Sequence, residues 1–345
     1  MLAFIVGRAL WVVVLAWVIS VITFALFFAL PPNQPGTNRQ GLVAPNLSTQ
    51  YNLHNKSLPA QYVIFVRRLV WHGDLGKSLR QPISVRAMIA DALPVTASLV
   101  IGGTIFWLVL AFSIGLLSAL RPRSLLDKGL MVLVLIGISI HPVALGLGLS
   151  YLLGFRLHAF PVGDYCDLHY HATSPCGGPR FWAYHMVLPW ITFALLFAAL
   201  YARMIRASML EVLGEDYVRT AYAKGAGTRR VLWGHAFRNA LLPVVAMLGM
   251  DVGLAFGGAV FIETAFQLPG MGQILYRALS ANDLPVIMGV VLVVSLAVAI
   301  LNMIADILCY ALDPRSGIHG WRRRGLAASP WRPLARLRVR ESSSP

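Results

Sequence analysis

Three groups of residues in this sequence have types and spacings that bear on chemistry. The first is Gly73-Asp74-Leu75-Gly76-Lys77-Ser78, which ends as a phosphate-binding loop ends. Such a loop needs a glycine, four residues and then Gly-Lys-Ser/Thr, so that backbone N–H groups can wrap a phosphate. The position of the required first glycine is Trp71, no strand pattern precedes it, and no other phosphate loop occurs in the chain. Nucleotide binding is excluded here, and any ATP-driven step must reside in a separate polypeptide. The second group is Cys166 and Cys176, with His169 and His171 between them. Two such cysteines facing an oxidising exterior most simply close a disulfide. Free thiols and a Cys/His metal site are the alternatives, although the histidine spacing fits no zinc pattern. Cys309 reads as packing. The third group is a set of acids inside apolar runs: Asp251, Glu263 and Asp306. A lipid-facing carboxylate at the position of Asp251 would cost on the order of 2.5–3.5 kcal/mol or more, so it is expected to face a pathway or a partner. The chain has no His-Glu-x-x-His, no Gly-x-Ser-x-Gly and no evident nucleophile–base pair, so no covalent catalysis is expected.

The elements that must hold these residues follow from composition. Of 345 residues, 57% are hydrophobic and 12% charged, about half the ~25% charge of a soluble domain. That excludes a water-soluble globule and a disordered chain alike. The net charge of +15 would point to nucleic acid in a soluble protein; in a chain this apolar it reports membrane sidedness, and no nucleic-acid partner is expected. Six stretches are long and apolar enough to cross a bilayer: Leu10–Leu30, Ala92–Leu120, Gly129–Phe155, Phe181–Ala202, Ala240–Ile262 and Leu284–Ala305. Each must be helical, because lipid offers the backbone no other partner. Gly102, Gly103, Gly146, Gly148, Gly257 and Gly258 are expected at close helix contacts, and His141-Pro142 predicts a kink. The first span reads as a retained anchor, since no small-x-small cleavage site follows it.

Basic residues orient the spans. With the N-terminus in the cytoplasm, the inner segments hold Arg8, three basic residues in 121–128, seven in 203–238 and eight in 315–340, which is 19 of the 29. Most of the rest lie in the long first loop, which crosses regardless of charge. The expected fold is therefore all-α, with six transmembrane helices and both termini cytoplasmic. Residues 1–30 form the N-terminus and first helix. Residues 31–91 form an external subdomain, in which Tyr62, Phe65, Val66, Leu69 and Val70 share a helix face. Residues 92–318 form the core, and 319–345 a basic disordered tail near anionic lipid.

The inner loop 203–239 is short for a domain and long for a turn. Asp216–Ala223 predicts a short helix, with Glu215 and Asp216 at its positive end and Gly225 after it. A second helical stretch, Thr228–Leu242, is expected up to Pro243. Tyr217, Ala221 and Lys224 fall on one face of the first helix. Physics alone leaves two readings open, a docking element and a solvated connection.

Glu215-Asp216-Tyr217-Val218-Arg219-Thr220-Ala221-Tyr222-Ala223-Lys224-Gly225-Ala226, followed by His235-Ala236-Phe237-Arg238-Asn239-Ala240-Leu241-Leu242-Pro243, resembles the cytoplasmic signature of the permease subunits of binding-protein-dependent ABC importers, in the version of the dipeptide, oligopeptide and nickel permeases. Gly73–Ser78 looks like that family's external Gly-Asp-Leu-Gly-x-Ser motif. Ile262-Glu263-Thr264 with Leu268-Pro269-Gly270-Met271-Gly272, Asn302, Asp306 and Leu312-Asp313-Pro314-Arg315 also fall where the family has them. The general signature begins Glu-Ala-Ala where this chain reads Arg219-Thr220-Ala221, and the distance from Gly225 to Pro243 is longer than in sugar importers; both are features of the peptide/nickel branch.

The resemblance implies the type I ABC importer permease fold in a bacterial inner membrane, and passage of di- or oligopeptides. Nickel or another small solute, or a secondary transporter or exporter, are the alternatives. It implies four kinds of partner: a second homologous permease subunit, two cytoplasmic ATPase subunits that use ATP and Mg, an extracytoplasmic substrate-binding lipoprotein, and membrane lipid. No cofactor or metal is implied in this chain itself. Glu215, Asp216, Tyr217, Arg219, Ala221, Lys224 and Gly225 are the implied ATPase-coupling residues, with Gly225 ending the helix where a side chain would clash. Asp251 would meet a peptide's amino group or pair with a basic residue. Glu263 would meet substrate or binding protein, or pair with Arg277, and Asp306 would lie at an inner interface.

Overall fold

The computed structural model describes residues 2–25, 57–163, 165–168, 176–232, 234 and 237–312. The expectations for 31–56, for Asp313-Pro314-Arg315 and the tail 319–345, and for His169, His171, His235 and Ala236 lie outside the described residues, as does the side chain of Cys309. The described elements are α1 (Leu2–Phe24), α2 (Leu58–His72), α3 (Val85–Leu120), α4 (Leu125–Ser139), α5 (Pro142–Leu149, continued by wider π-type turns over Ser150–Arg156), α6 (Pro179–Gly214), α7 (Asp216–Ala223), α8 (Thr228–Val231), α9 (Phe237–Phe266), α10 (Met271–Ala281) and α11 (Leu284–Leu312).

Five of these, α1, α3, α6, α9 and α11, contain stretches long and apolar enough to cross a membrane singly, and α4 with α5 forms a sixth that is bent by 109°. The expected kink at His141-Pro142 is therefore a break. Ile140 and His141 are both extended, with ψ of 130° and 137°, because a proline disfavours helical backbone in the residue before it. His141 then restarts the chain as the N-cap of α5, its Nδ1 accepting the Val143 N–H at 3.3 Å.

The order of side-chain contacts gives the direction of each helix. Along α3 and α6, Gly102 meets Trp190, Gly103 meets Phe193, Gly115 meets Ala202, and Ser118 meets Arg206. The numbers rise together, so the two helices run parallel. Two parallel spans require one return crossing between them, and only α4–α5 lies there; the bent pair is a full crossing and not a re-entrant loop. Its first half is antiparallel to α6, with Asp127 against Arg206 and Gly137 against Ala199. On the far side α9 and α11 are antiparallel, Gly249 facing Ala305 and Gly253 facing Asn302. Helix α1 runs against α11 from an Arg8–Asp306 ion pair of 2.9 Å at one end to Phe24 beside Met288 and Leu292 at the other. Six alternating crossings result, with both ends of the described chain on the same side.

Two sequence expectations change. Gly148, Gly257 and Gly258 meet nothing within 4 Å where a Cβ would stand, unlike Gly102, Gly103 and Gly146, because they lie where no neighbouring helix of this chain covers them. Across Thr228–Leu242, α8 covers Thr228–Val231, Leu232 and Gly234 lie in wider π-type turns, and α9 starts at Phe237 and runs through Pro243, since a proline in a membrane helix forgoes only local bonds that neighbours can offset. On α2, Phe65 is buried and Tyr62, Val66 and Leu69 pack with it, but Val70 is 69% exposed; the helix leans on α1 and α11 with a narrower face than its periodicity allows. Tyr62 and Ser20 of α1 hydrogen-bond through their hydroxyls at 2.8 Å.

The Gly73–Ser78 segment is a bracket. Gly73 closes α2 in the left-handed conformation, and the Gly76 N–H donates to the Asp74 carboxylate at 2.9 Å. Ser78 donates its hydroxyl to Asp283, which also accepts the Leu79 N–H at 3.1 Å. The Gly73–Ser78 segment is thereby tied to the turn between α10 and α11.

Candidate functional site

The bent α4–α5 pair, α6, α9 and α11 border an open cavity of about 870 Å³. Its walls include Ile138 and His141 at the α4–α5 break, Phe197 and Leu200 of α6, Asp251 and Gly257 of α9. Asp251 stands in the middle of α9. Its Oδ2 accepts the Tyr201 hydroxyl at 2.7 Å, and Tyr201 is fully buried against Trp107, with ring centroids 5.2 Å apart. A basic partner, one of the two alternatives, is absent among the described ion pairs; the Tyr201 phenol is the described partner. His141 has its Nδ1 committed as an acceptor, so its Nε2 carries the proton. The ring stands edge-on to Phe261 at 5.6 Å.

Glu263 is not in this cavity. It is fully buried, and accepts the Thr96 hydroxyl at 2.6 Å and the Gln273 N–H at 3.0 Å. Thr96 in turn accepts the Met271 N–H at 2.9 Å. The carboxylate thus anchors the N-terminus of α10, where helix N–H groups favour a negative charge. Neither the exposed contact with substrate or binding protein nor the ion pair with Arg277 is present: burial rules out the first, and the carboxylate is already taken up by donors of α3 and α10. Gly270 belongs to this arrangement, since a Cβ there would overlap the Glu263 carboxylate.

At the opposite end of the bundle, α7 leaves α6 after Gly214 through the extended residue Glu215. Val218 is its one buried side chain. Glu215, Asp216, Tyr217, Arg219, Lys224 and Gly225 are exposed, and Ala221 is half-buried. Tyr222, which the sequence reading passed over, is as open as Tyr217. The helix therefore holds to the molecule by Val218 and presents charges and two phenols outward. Gly225 ends it with φ +80°, yet a Cβ there would meet nothing within 4 Å. The glycine is required by backbone conformation and not by lack of space, which corrects the expected clash.

One arrangement near α7 was not anticipated. Arg206 of α6 grips Asp127 of α4 with two bonds of 2.8 Å, while Ser118 of α3 donates to the same carboxylate and the Arg123 N–H reaches it at 2.9 Å. Three helices are locked together just above the point where α6 becomes α7. In the sequence these residues read only as loop charges, because the partners lie 79 positions apart. The structure joins Cys166 to Cys176 as a disulfide, with Cα atoms 5.4 Å apart. Asp306 sits at the Arg8 contact between the first and last spans.

The family described as binding-protein-dependent transport system inner membrane component matches residues 111–317, and the corresponding N-terminal membrane component family matches residues 1–100. A putative peptide permease protein of Brucella suis is 36% identical over 300 residues, covering 84% of this chain and 92% of its own length. The dipeptide transport system permease protein DppB of Bacillus subtilis is 34% identical over 307 residues, covering 88% and 94%. The probable D,D-dipeptide transport system permease protein DdpB of Escherichia coli K12 is 33% identical over 320 residues, again covering 88% and 94%.

Proposed function

This chain belongs to the binding-protein-dependent transport system inner membrane components, and from that premise we propose that it passes short peptides through the cavity beside Asp251, driven by ATPase subunits that dock on α7. It is a multi-pass permease subunit of a bacterial inner-membrane ABC importer, and no enzymatic step is its own. Its family works with ATPase and substrate-binding partners.

The peptide cargo is carried over from relatives whose names state peptide or dipeptide transport. The observation that supports the mechanism is the continuity of α6. One 36-residue helix lines the cavity with Phe197 and Leu200, is clamped at Arg206, and ends at the turn into α7. A push on α7 therefore reaches the cavity wall through a rigid element, and through the Asp127 clamp reaches α4 and the broken end that carries Ile138 and His141. Binding and hydrolysis of ATP elsewhere need only favour one of two arrangements of these helices.

A second permease subunit covers the open side. Met250 is 75% exposed and Leu254 69% exposed, and with Gly257 and Phe261 they recur at helical spacing along one stripe of α9 that borders the cavity. With α7 in the cytoplasm, the Gly73–Ser78 bracket and the disulfide-closed loop face outward, where a binding protein delivers its load. The test is uptake of a radiolabelled dipeptide by the native strain. Deleting this chain is expected to abolish uptake, and a chain with Asp216 and Lys224 both changed to Ala is expected to reach the membrane normally but import at a small fraction of the wild-type rate. Undiminished uptake in the deletion strain would defeat the reading.

A further inference from the structure

Asp251 lies at the midpoint of α9, 14 residues from Phe237 and 15 from Phe266, which places it about 20 Å from either end of the helix. The cavity around it is otherwise built largely of Ile138, Phe197, Leu200, Met250 and Leu254 and of glycine backbone. A single carboxylate in such a wall is costly unless something answers its charge. No described ion pair does so: those of Arg206, Arg219 and Arg8 are with Asp127, Asp216 and Asp306. The one described partner of Asp251 is the Tyr201 hydroxyl on Oδ2. That bond orients the carboxylate without neutralising it, and it is itself fixed, because Tyr201 is fully buried and packed on Trp107. Oδ1 has no described protein donor. His141 lines the same space, and with its Nδ1 already accepting the Val143 N–H its other ring nitrogen is the one left to donate. The cavity therefore presents one oriented carboxylate and the imidazole of His141 in an apolar surround.

We propose that Asp251, held by Tyr201, is the specificity residue of the pathway, and that it receives the ammonium group of the transported peptide. This rests on the reading of the chain as a peptide permease and adds which end of the cargo it recognises. An ammonium replaces its lost water with the carboxylate. The His141 N–H is placed for a peptide carbonyl, and the apolar walls accept side chains without selecting among them. Charge attraction gains strength in such a low-dielectric site, and a single anchoring pair leaves release easy, as a pathway requires.

The experiment uses the chain with its own partner subunits and binding protein. Asp251→Asn keeps the shape and the acceptor for Tyr201 and removes only the charge. It is expected to lower the maximal rate of dipeptide uptake by roughly tenfold or more, while the half-saturating concentration, set by the binding protein, stays unchanged. The complex should still co-purify intact. In the wild-type complex, carbodiimide labelling of Asp251 followed by mass spectrometry should be suppressed by alanyl-alanine and not by N-acetyl-alanyl-alanine. Wild-type uptake in the Asn variant would overturn the proposal while leaving the permease reading in place. Dissociation of the subunits in that variant would also overturn it, assigning Asp251 to subunit pairing. Equal protection by the two peptides would show that the ammonium is not what is recognised. Failure of the wild-type strain to import any peptide would remove the peptide reading itself, and the proposal with it.

Discussion

Single residues in this chain divide by whether burial leaves them free to act. Glu263 and Asp251 look alike in the sequence, lone acids one within the fifth span and one at its end. One is fully buried and saturated by donors; the other faces a cavity with one oxygen committed. No local pattern separates them, because the difference depends on Thr96, 167 positions away, and on the return of α10 beneath α9. The two should respond differently to substitution. Glu263→Ala strands buried donors, each worth about 1–3 kcal/mol, so the thermal midpoint of the purified complex should fall by several degrees. Gly270→Ala should do much the same, since overpacking costs typically 1–3 kcal/mol and the carboxylate it would strike is pinned by donors. Neither change should alter which peptides compete for uptake, as judged in a competition assay on the surviving complex.

At the scale of elements, α7 was legible down to its bounds, since a short amphipathic turn between an acidic start and a glycine stop depends on neighbours in sequence. The reason for Gly225 was not legible, because whether a glycine answers to φ or to space is a property of the surroundings. The two reasons make opposite predictions. At φ +80°, Ala costs about 1–2 kcal/mol, whereas Asn adopts the left-handed conformation more readily. Gly225→Asn should therefore retain more ATPase co-purification and uptake than Gly225→Ala, despite its larger side chain. The break in α4–α5 was visible only as a proline, and its 109° depth required two extended residues. The Asp127–Arg206 clamp was invisible for the same reason as the Thr96 contact, its sequence separation. Removing one member of such a pair strands the other's charge, and the effect is softened here because Arg206 keeps a quarter of its side chain exposed. Arg206→Lys keeps the charge but loses the two-pronged grip. It should assemble with the ATPases yet hydrolyse more ATP per peptide imported, measured as the ratio of the two rates in proteoliposomes.

At the scale of the molecule, the six crossings were readable because bilayer thickness sets a length that composition reveals directly. Which helices run parallel, and hence that the bent pair crosses fully, came only from the order of contacts. The Arg8–Asp306 pair joins the first and last spans, but both partners are a third or more exposed, and such pairs are worth ~0–1 kcal/mol; it marks the topology without securing it. The account turns on α7 standing in the cytoplasm as the element on which ATPases push. The direct measurement places a cysteine at the exposed Ala223 in a Cys309→Ser background and exposes it to a membrane-impermeant maleimide. Labelling in inside-out vesicles, absent in intact spheroplasts and suppressed when the ATPase subunits are bound, is the predicted result. Labelling from the outer face of intact spheroplasts, or labelling from within that bound ATPase leaves undiminished, would contradict it.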